Sequence, residues 1–396
     1  MIVDTSQLTC QKDAFSLPTD IHYLNCATRG PFSRVVEQAG IEAIRLQTNP
    51  FSLTAAHFFE QPNRVRQLFS GLINNRSADA DRIAVVPSVS YAMGVVARNL
   101  HRKPGVARGQ QIVLINDEFP SDVYAWERVC AELNLSIVTV PMPAELPRGA
   151  AWSERLLEAI GPQTALVVVP PVHWMYGIRF DLEAISRRAK EVGAWLAIDA
   201  TQTIGAMPFD LDCIRPDALV CVGYKWLMGP YSTGLAYFGE AFDDGIPLEE
   251  TWMGRINSEQ FHRLTQYQST YRPKAYRYNV GEQSHFIHMP MLEAALSQLL
   301  DWQPEHIQNY ARDLMADALT KLETVGCRVE DEPWRSHHLL GLWLPTTADP
   351  VAVQQALLAR KVSVSVRGRA LRVSPNVYND ERDVAAFIDA LKGSLS

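Results

Sequence analysis

From about residue 80 to residue 240 this 396-residue chain alternates two patterns, and the alternation restricts its fold more than any other feature. Short, unbroken apolar runs rich in β-branched residues (RIAVV, QIVLIN, SIVTV, ALVVVP, AWLAID, ALVCVG) are separated by stretches of helical periodicity such as SDVYAWERVCAEL and DLEAISRRAKEVG. The second of these opens on Asp181, a good N-cap, and closes on Gly193, a good C-cap. A strand with one wet face alternates apolar and polar residues, whereas a strand without polar positions is covered on both faces. Covered strands alternating with helices predict an α/β fold with a mainly parallel central sheet.

The pattern then changes. Residues 241–282 are rich in Arg, Tyr and Gln and show little periodicity, which reads as an irregular connection that carries function. Helical patterns follow at about 285–302 and 304–325, then strand-like HHLLGLWL, a helix near 349–360, strand-like KVSVSV and ALRVS, and a last helix from about 380. This predicts a smaller C-terminal α/β domain. The length also exceeds what one ordinary core covers. The expected division is an N-terminal segment over 1–22, a large domain over 23–265 and a small domain over 266–396.

A net charge of −7 gives no reason to expect nucleic acid or an anionic membrane as partner, although small anions can still bind locally. The start, MIVDTSQLTC, lacks the basic and apolar stretches of a secretory signal, and the longest apolar runs are too short to cross a bilayer. The six cysteines (10, 26, 130, 213, 221, 327) form no CxxC pair and no His/Cys cluster, which argues against zinc and against a disulfide scaffold. His337 and His338 are neighbours in a strand-like run, where side chains point to opposite faces, so no metal is expected there. A cytoplasmic protein is the simplest expectation.

Three places carry chemistry. Asp199 ends the apolar run AWLAID, and in open α/β sheets ligands lie beyond the carboxyl ends of strands. A carboxylate there suits a cationic ring nitrogen, and also suits a plain turn or helix cap. Lys225 follows ALVCVG at the same expected edge; partly apolar surroundings favour the neutral, nucleophilic amine, while a strand-end Lys also simply reaches to water. Ser88 and Ser90, in PSVSYAMG, stand where a helix begins, a place for an anion or for an ordinary Ser cap. Together the three match the needs of pyridoxal 5′-phosphate (PLP): an N–H cradle for the phosphate, a Lys for the aldehyde, and an acid for the pyridine nitrogen.

The motifs also resemble a known family. Asp199-x-x-Gln202, Lys225-Trp226-x-x-Gly229-Pro230 and Ser232-Thr233-Gly234-x-x-Tyr237 are similar to class V aminotransferases, cysteine desulfurases and kynureninases. The resemblance begins at Tyr23-Leu24-Asn25-Cys26-Ala27-Thr28 and ends at Leu371-Arg372-Val373-Ser374-Pro375-Asn376-Val377-Tyr378-Asn379. It implies the PLP-dependent transferase fold (fold type I) and a homodimer with sites at the subunit interface. It makes Lys225 the lysine that holds PLP as an imine and Asp199 the partner of the pyridine nitrogen. Gln202 would bond the ring hydroxyl, Phe119 would stack on the ring, and Ser88, Val89 and Ser90 would wrap the phosphate, with the Tyr224 hydroxyl as a further donor. Trp174 joins the cofactor set, with a plain packing role as the alternative. Arg372 would grip the substrate carboxylate, a bidentate task suited to guanidinium, and Asn25 and Thr28 would line the substrate side.

Departures narrow the chemistry. Desulfurases carry a nucleophilic Cys on a loop shortly before the arginine. KVSVSVRGRALRVS is short and has none, and Cys327 lies 45 residues (372 − 327) before Arg372, where a small apolar filler is expected. Phe119, Trp174 and Tyr224 stand where desulfurases have His, Asn and His, which is closer to kynureninases. Gly281-Glu282-Gln283-Ser284 replaces a G-T-x-N motif whose Thr reaches the neighbouring subunit's phosphate, leaving Gln283, Ser284 or the backbone for that contact. The expected activity is that of a PLP enzyme acting at the α-carbon or amino group of a small amino-acid-like substrate, as an aminotransferase or a C–S or C–C lyase. An epimerase of the isopenicillin N epimerase type is the alternative, and a non-catalytic PLP-binding protein is the alternative from a different class.

Overall fold

The structure, a computed structural model, describes residues 7–77 and 79–395; the first six residues, which open MIVDTSQLTC and the N-terminal segment, lie outside the described residues. A two-residue strand β1 (His22–Tyr23) precedes helices α1 (Arg34–Gln47) and α2 (Glu60–Leu72). The central sheet consists of β2 (Ile83–Val86), β3 (Gln111–Ile115), β4 (Ser136–Val140), β5 (Thr164–Val169), β6 (Trp195–Asp199), β7 (Ala218–Val222) and β8 (Gly234–Phe238). Helices α3 (Val89–Asn99), α4 (Tyr124–Leu133), α5 (Gly149–Ala159), α6 (Leu182–Glu191) and the short α7 (Leu211–Ile214) connect them.

The sheet order is β2-β8-β7-β6-β5-β3-β4. Strands β4, β3, β5, β6 and β7 run parallel, and β8 is antiparallel to both β7 and β2. The apolar runs of β2, β3, β5, β6 and β7 are covered on both sides as their composition requires, whereas SIVTV forms the edge strand β4, where only Val140 is fully buried. Along β6, Leu196 and Ile198 enter one core, while Trp195 and Ala197 enter the core on the opposite face. Strand β8 was not among the runs read from the sequence. Only 11 residues (234 − 222 − 1) link β7 to β8, fewer than a parallel crossover needs, so the chain must return antiparallel.

The irregular segment after β8 contains no α-helix or strand, only short 3₁₀ turns at Glu240–Phe242, Trp252–Gly254, Phe261–Arg263 and Lys274–Tyr278. Helix α8 (His288–Trp302) lies on α1 and α2, so closely that a side chain at Gly40 would meet the Met291 sulfur at 2.9 Å. After it come α9 (Pro304–Glu323), β9 (Leu340–Trp343), α10 (Pro350–Ala359), β10 (Val362–Ser363), β11 (Ser365–Arg367), β12 (Ala370–Val373) and α11 (Glu381–Leu395). Strands β11, β12 and β9 form an antiparallel sheet in that order, over a core with Leu24, Met315, Leu357, Phe387 and the buried Cys327. KVSVSV divides in two, since β10 pairs parallel with β1 while β11 pairs with β12. HHLLGLWL forms a strand only from Leu340; His337 and His338 sit in the bend before it, where His338 bonds the Gln202 carbonyl and Gln308 and His337 lies 3.4 Å from Glu332. Among the described residues no helix is long and apolar enough to cross a membrane, and no group of His, Cys, Asp and Glu has the arrangement of a metal site.

Candidate active site

The loops that leave the carboxyl ends of β2, β3, β5, β6 and β7 converge at one edge of the sheet. They bring Val89, Phe119, Trp174, Asp199, Gln202, Tyr224 and Lys225 around a small common cavity. A larger cavity of about 730 Å³ lies elsewhere, between Arg179, Asp210 and Glu305, and contains none of these groups. Chemistry rather than volume therefore marks the site.

Lys225 sits in the tight turn after β7. Its main chain is held from both sides: Gly30 N–H donates to the Tyr224 carbonyl at 2.9 Å, and Met228 N–H to the Lys225 carbonyl at 3.1 Å. A β-carbon at Gly30 would lie 2.2 Å from the Lys225 carbonyl oxygen, so only glycine permits this approach. The Lys225 Nζ is 5.6 Å from the centre of the Phe119 ring and 5.8 Å from that of Tyr224. Burial lowers the Lys225 amine to about 8, a shift that Asp199 opposes and the Arg372 and Arg367 charges reinforce.

Asp199 ends β6, and its carboxylate accepts the Thr201 N–H at 2.9 Å. The Gln202 amide is oriented by two bonds, donating to the Ala27 carbonyl at 3.1 Å and accepting from Trp226 Nε1 at 2.7 Å. Ser88 caps α3, its hydroxyl accepting the Tyr91 N–H at 3.2 Å and lying 2.9 Å from the Ser90 hydroxyl. The cap reading of Ser88 thus describes its hydroxyl, and the first N–H groups of the helix remain for an anion. Trp174 donates Nε1–H to the Asp117 carbonyl at 2.7 Å and meets Phe119 edge to face, at 5.4 Å and 83°.

Two acids absent from the sequence reading lie beside Asp199. Asp122 has both carboxylate oxygens buried without a hydrogen-bond partner, and Glu118 has one. Burial, with the nearby Asp199 and Glu118, raises the Asp122 carboxyl well above its usual range; burial and Asp199 raise Glu118 to about 8. In the sequence Asp122 falls within SDVYAWERVCAEL, where it reads as a helix residue. The helix begins only at Tyr124, and a 3₁₀ turn, Pro120–Asp122, faces Asp122 inward.

On the other side, the fully buried Arg372 donates through Nη1 to the Trp174 carbonyl at 2.9 Å and through Nη2 to Thr28 Oγ1 at 2.6 Å. The Thr28 hydroxyl in turn donates to Asn25 Oδ1 at 2.8 Å. Asn25 and Thr28 belong to a segment bridged to the small sheet through Asn25 and Ser374. Burial lowers Arg372 to about 9, with Arg367 adding repulsion. Cys26 is buried in the same segment, accepts from Asn376 at 3.2 Å, and burial raises its thiol to about 12, so it holds no thiolate for nucleophilic attack. Gln283 turns inward to accept from Arg66, and the Gly281 N–H donates to Glu249.

These residues fit PLP. A depressed Lys, a strand-end carboxylate beside the buried Asp122, a helix start with free N–H groups and two aromatic rings are the complement that its aldehyde, ring nitrogen, phosphate and ring face require. Comparison with known proteins bears on the same point. Residues 21–387 match the family model for class V aminotransferases. The chain is 26% identical over 337 residues to an uncharacterized aminotransferase, YcbU, of Bacillus subtilis, covering 84% of this chain and 83% of the relative. It is 25% identical over 399 residues to isopenicillin N epimerase of Amycolatopsis lactamdurans, covering 96% and 97%. Among solved structures, a lysine-to-alanine mutant of C-DES with glycine covalently linked to its PLP cofactor superposes with a TM-score of 0.79 at 19% identity, covering 97% of this chain and 99% of that one. With the motifs, the fold and the family model in agreement, the chain belongs to the class V aminotransferase family and is a PLP-dependent enzyme.

Proposed function

We propose that Lys225 binds PLP covalently and that the enzyme acts at the α-carbon of a small α-amino acid, either moving its amino group or breaking a C–S or C–C bond beside it. The cofactor, when bound, supplies an electron sink. The observation that carries the reading is Lys225 itself, partly buried, lowered to about 8 and sharing one small cavity with Phe119 and Asp199. At neutral pH a useful fraction of its Nζ is uncharged, the form that attacks a carbonyl and accepts a proton. Asp199 is the group for the ring nitrogen, and Asp122 and Glu118, raised by burial and by Asp199, stay protonated beside it at neutral pH. Gln202 suits the ring hydroxyl; Ser88, Val89, Ser90 and Tyr224 suit the phosphate; Phe119 and Trp174 bound the ring. Arg372, oriented by Thr28 and Asn25, suits the substrate carboxylate.

Phe119 cannot carry a proton, so Lys225 is the proton carrier at the α-carbon. One carrier supports transamination or elimination. Inversion needs a carrier on each face. The similarity to isopenicillin N epimerase along almost the whole chain favours inversion as the second reading. Borohydride reduction of the purified enzyme, followed by peptide mapping, should find the pyridoxyl adduct on Lys225. Single-enantiomer amino acids in D₂O should then yield keto acid, ammonia or sulfide without inverted product. Inverted product would establish the epimerase reading, and an adduct with no reaction of any amino acid would point to a binding protein.

The reading extends to a cytoplasmic homodimer. The six cysteines are unpaired, as in a reducing compartment. Exposed apolar residues on α1 (Val35, Ile41, Ile44) and in the irregular segment (Trp252, Ile256, Phe261) support a second copy as their cover. Sedimentation at micromolar concentration tests this, with a monomer as the contrary result.

A further inference from the structure

The hairpin of β11 and β12 carries a second arginine toward the site. Its register pairs Ser365 with Arg372 and Arg367 with Ala370. Residues directly opposite in an antiparallel pair share a face, and alternate residues along a strand do too. Ser365, Arg367, Ala370 and Arg372 therefore project from one side of the hairpin. Arg367 and Arg372 are diagonal neighbours, a spacing of roughly 7–8 Å at the backbone. Ala370, opposite Arg367, leaves room between the two guanidinium groups. The turn depends on Gly368 at φ +54°, whose missing side chain also leaves space for the Tyr176 hydroxyl.

This face looks onto Trp174. Arg372 bonds its carbonyl, and the Arg367 guanidinium lies 5.5 Å from its ring centre. Three polar groups on the face are buried without a hydrogen-bond partner: Arg367 Nε, Arg372 Nε and Ser365 Oγ. Arg367 donates once, to the Val366 carbonyl at 2.7 Å. Among the described residues neither arginine has a carboxylate partner within 4.0 Å. Two like charges beside three unmet polar groups are costly unless anions arrive to neutralise them. An α-carboxylate accounts for Arg372 and leaves Arg367 without a counter-charge.

We propose that Arg367 reads a second carboxylate, so that the substrate is an α-amino acid with an acidic side chain. The proposal rests on the function proposed above only in taking Arg372 as the reader of the α-carboxylate. The experiment titrates the PLP-loaded enzyme calorimetrically with glutarate and with pentanoate, which match in carbon number and carry no amine. Glutarate should bind at least about tenfold more tightly, and Arg367→Gln should bring the ratio close to one, with Arg367→Lys retaining part of it. The visible absorbance and circular dichroism of each variant establish that it is loaded and folded. In parallel, kcat/KM for aspartate and glutamate should exceed that for asparagine and glutamine in the wild type. Equal binding of glutarate and pentanoate by the wild type overturns the proposal without recourse to any variant, as does a ratio that persists in loaded Arg367→Gln. Loss of cofactor in both Arg367 variants would reassign the residue to PLP, and a preference confined to phosphoserine would overturn the carboxylate assignment. Should no amino acid react, the enzymatic reading falls while the glutarate ratio still reports on Arg367.

Discussion

Replacing Glu118 by Gln should make the apo-protein more stable, by a margin that grows as pH rises from 5 to 8. Glu118 has an ordinary value of 4.5 and is raised to about 8 by burial and by Asp199. Between these values the folded state holds a proton that the unfolded chain has released, so stability falls as pH rises through that window. The loss cannot exceed (8 − 4.5) pH units at about 1.4 kcal/mol each, or about 5 kcal/mol. Glu118 is partly exposed and keeps one bond, from the Phe119 N–H. Local relaxation and water entry therefore reduce the recoverable share to about 1–3 kcal/mol. Urea unfolding of apo wild type and Glu118→Gln at half-unit steps from pH 5 to pH 9 measures it. The curves should nearly coincide at pH 5 and separate steadily up to pH 8, the variant on top. Asp122 contributes a slope of the same sign, so the single variant retains part of the decline and Glu118→Gln with Asp122→Asn retains less. Parallel curves, or a wild type that gains stability between pH 5 and 8 relative to the variant, would refute the electrostatic account of this cluster.

Arg372→Gln should lower kcat/KM for the amino acid by roughly 30- to 5,000-fold, the equivalent of about 2–5 kcal/mol for a truncated buried charge pair; Arg372→Lys should recover part of it, and the absorbance of bound PLP should persist in both. Gly30→Ala should reduce cofactor occupancy and Tm together, because its β-carbon meets the Lys225 carbonyl; unchanged values would mean that the turn adjusts freely. The rate at which apo-protein captures PLP should rise with pH through about 8 and level off above it, since the neutral Lys225 amine is the attacking form; a flat profile would oppose the depressed amine. Native enzyme at pH 8 should not lose Cys26 to iodoacetamide, and no single Cys→Ala change should cost a thousandfold in turnover.

Residues whose place follows from position on the chain were legible in the sequence. Asp199 and Lys225 end or follow covered strands, and Ser88 precedes a helix, so their place at one sheet edge follows from the α/β pattern. Residues whose role depends on pairing were not. Arg367 stands in KVSVSVRGRALRVS as one arginine among three; only the β11–β12 register sets it on the face of Arg372. Asp122 looks like an ordinary helix residue until a 3₁₀ turn faces it inward. The antiparallel β8 escapes a reading built on alternating strands and helices, because what fixes its direction is the shortness of the loop before it. The first helices, α1 and α2, add no chemistry, and their place follows from packing against α8.

Residues 22–30 pair with partners far along the chain. His22 matches Val362, and Asn25 bridges Ser374, while Gly30 reaches the Lys225 turn. During synthesis at about 5–20 residues per second, the 340 residues (362 − 22) between the first pair take roughly 17 to 70 seconds to emerge. For that interval the strand edge at residue 22 waits without its mate, and Thr28 without Arg372. The ribosome therefore releases a finished cofactor sheet before it releases a finished catalyst, and translation pace sets how long this early edge is available to chaperones.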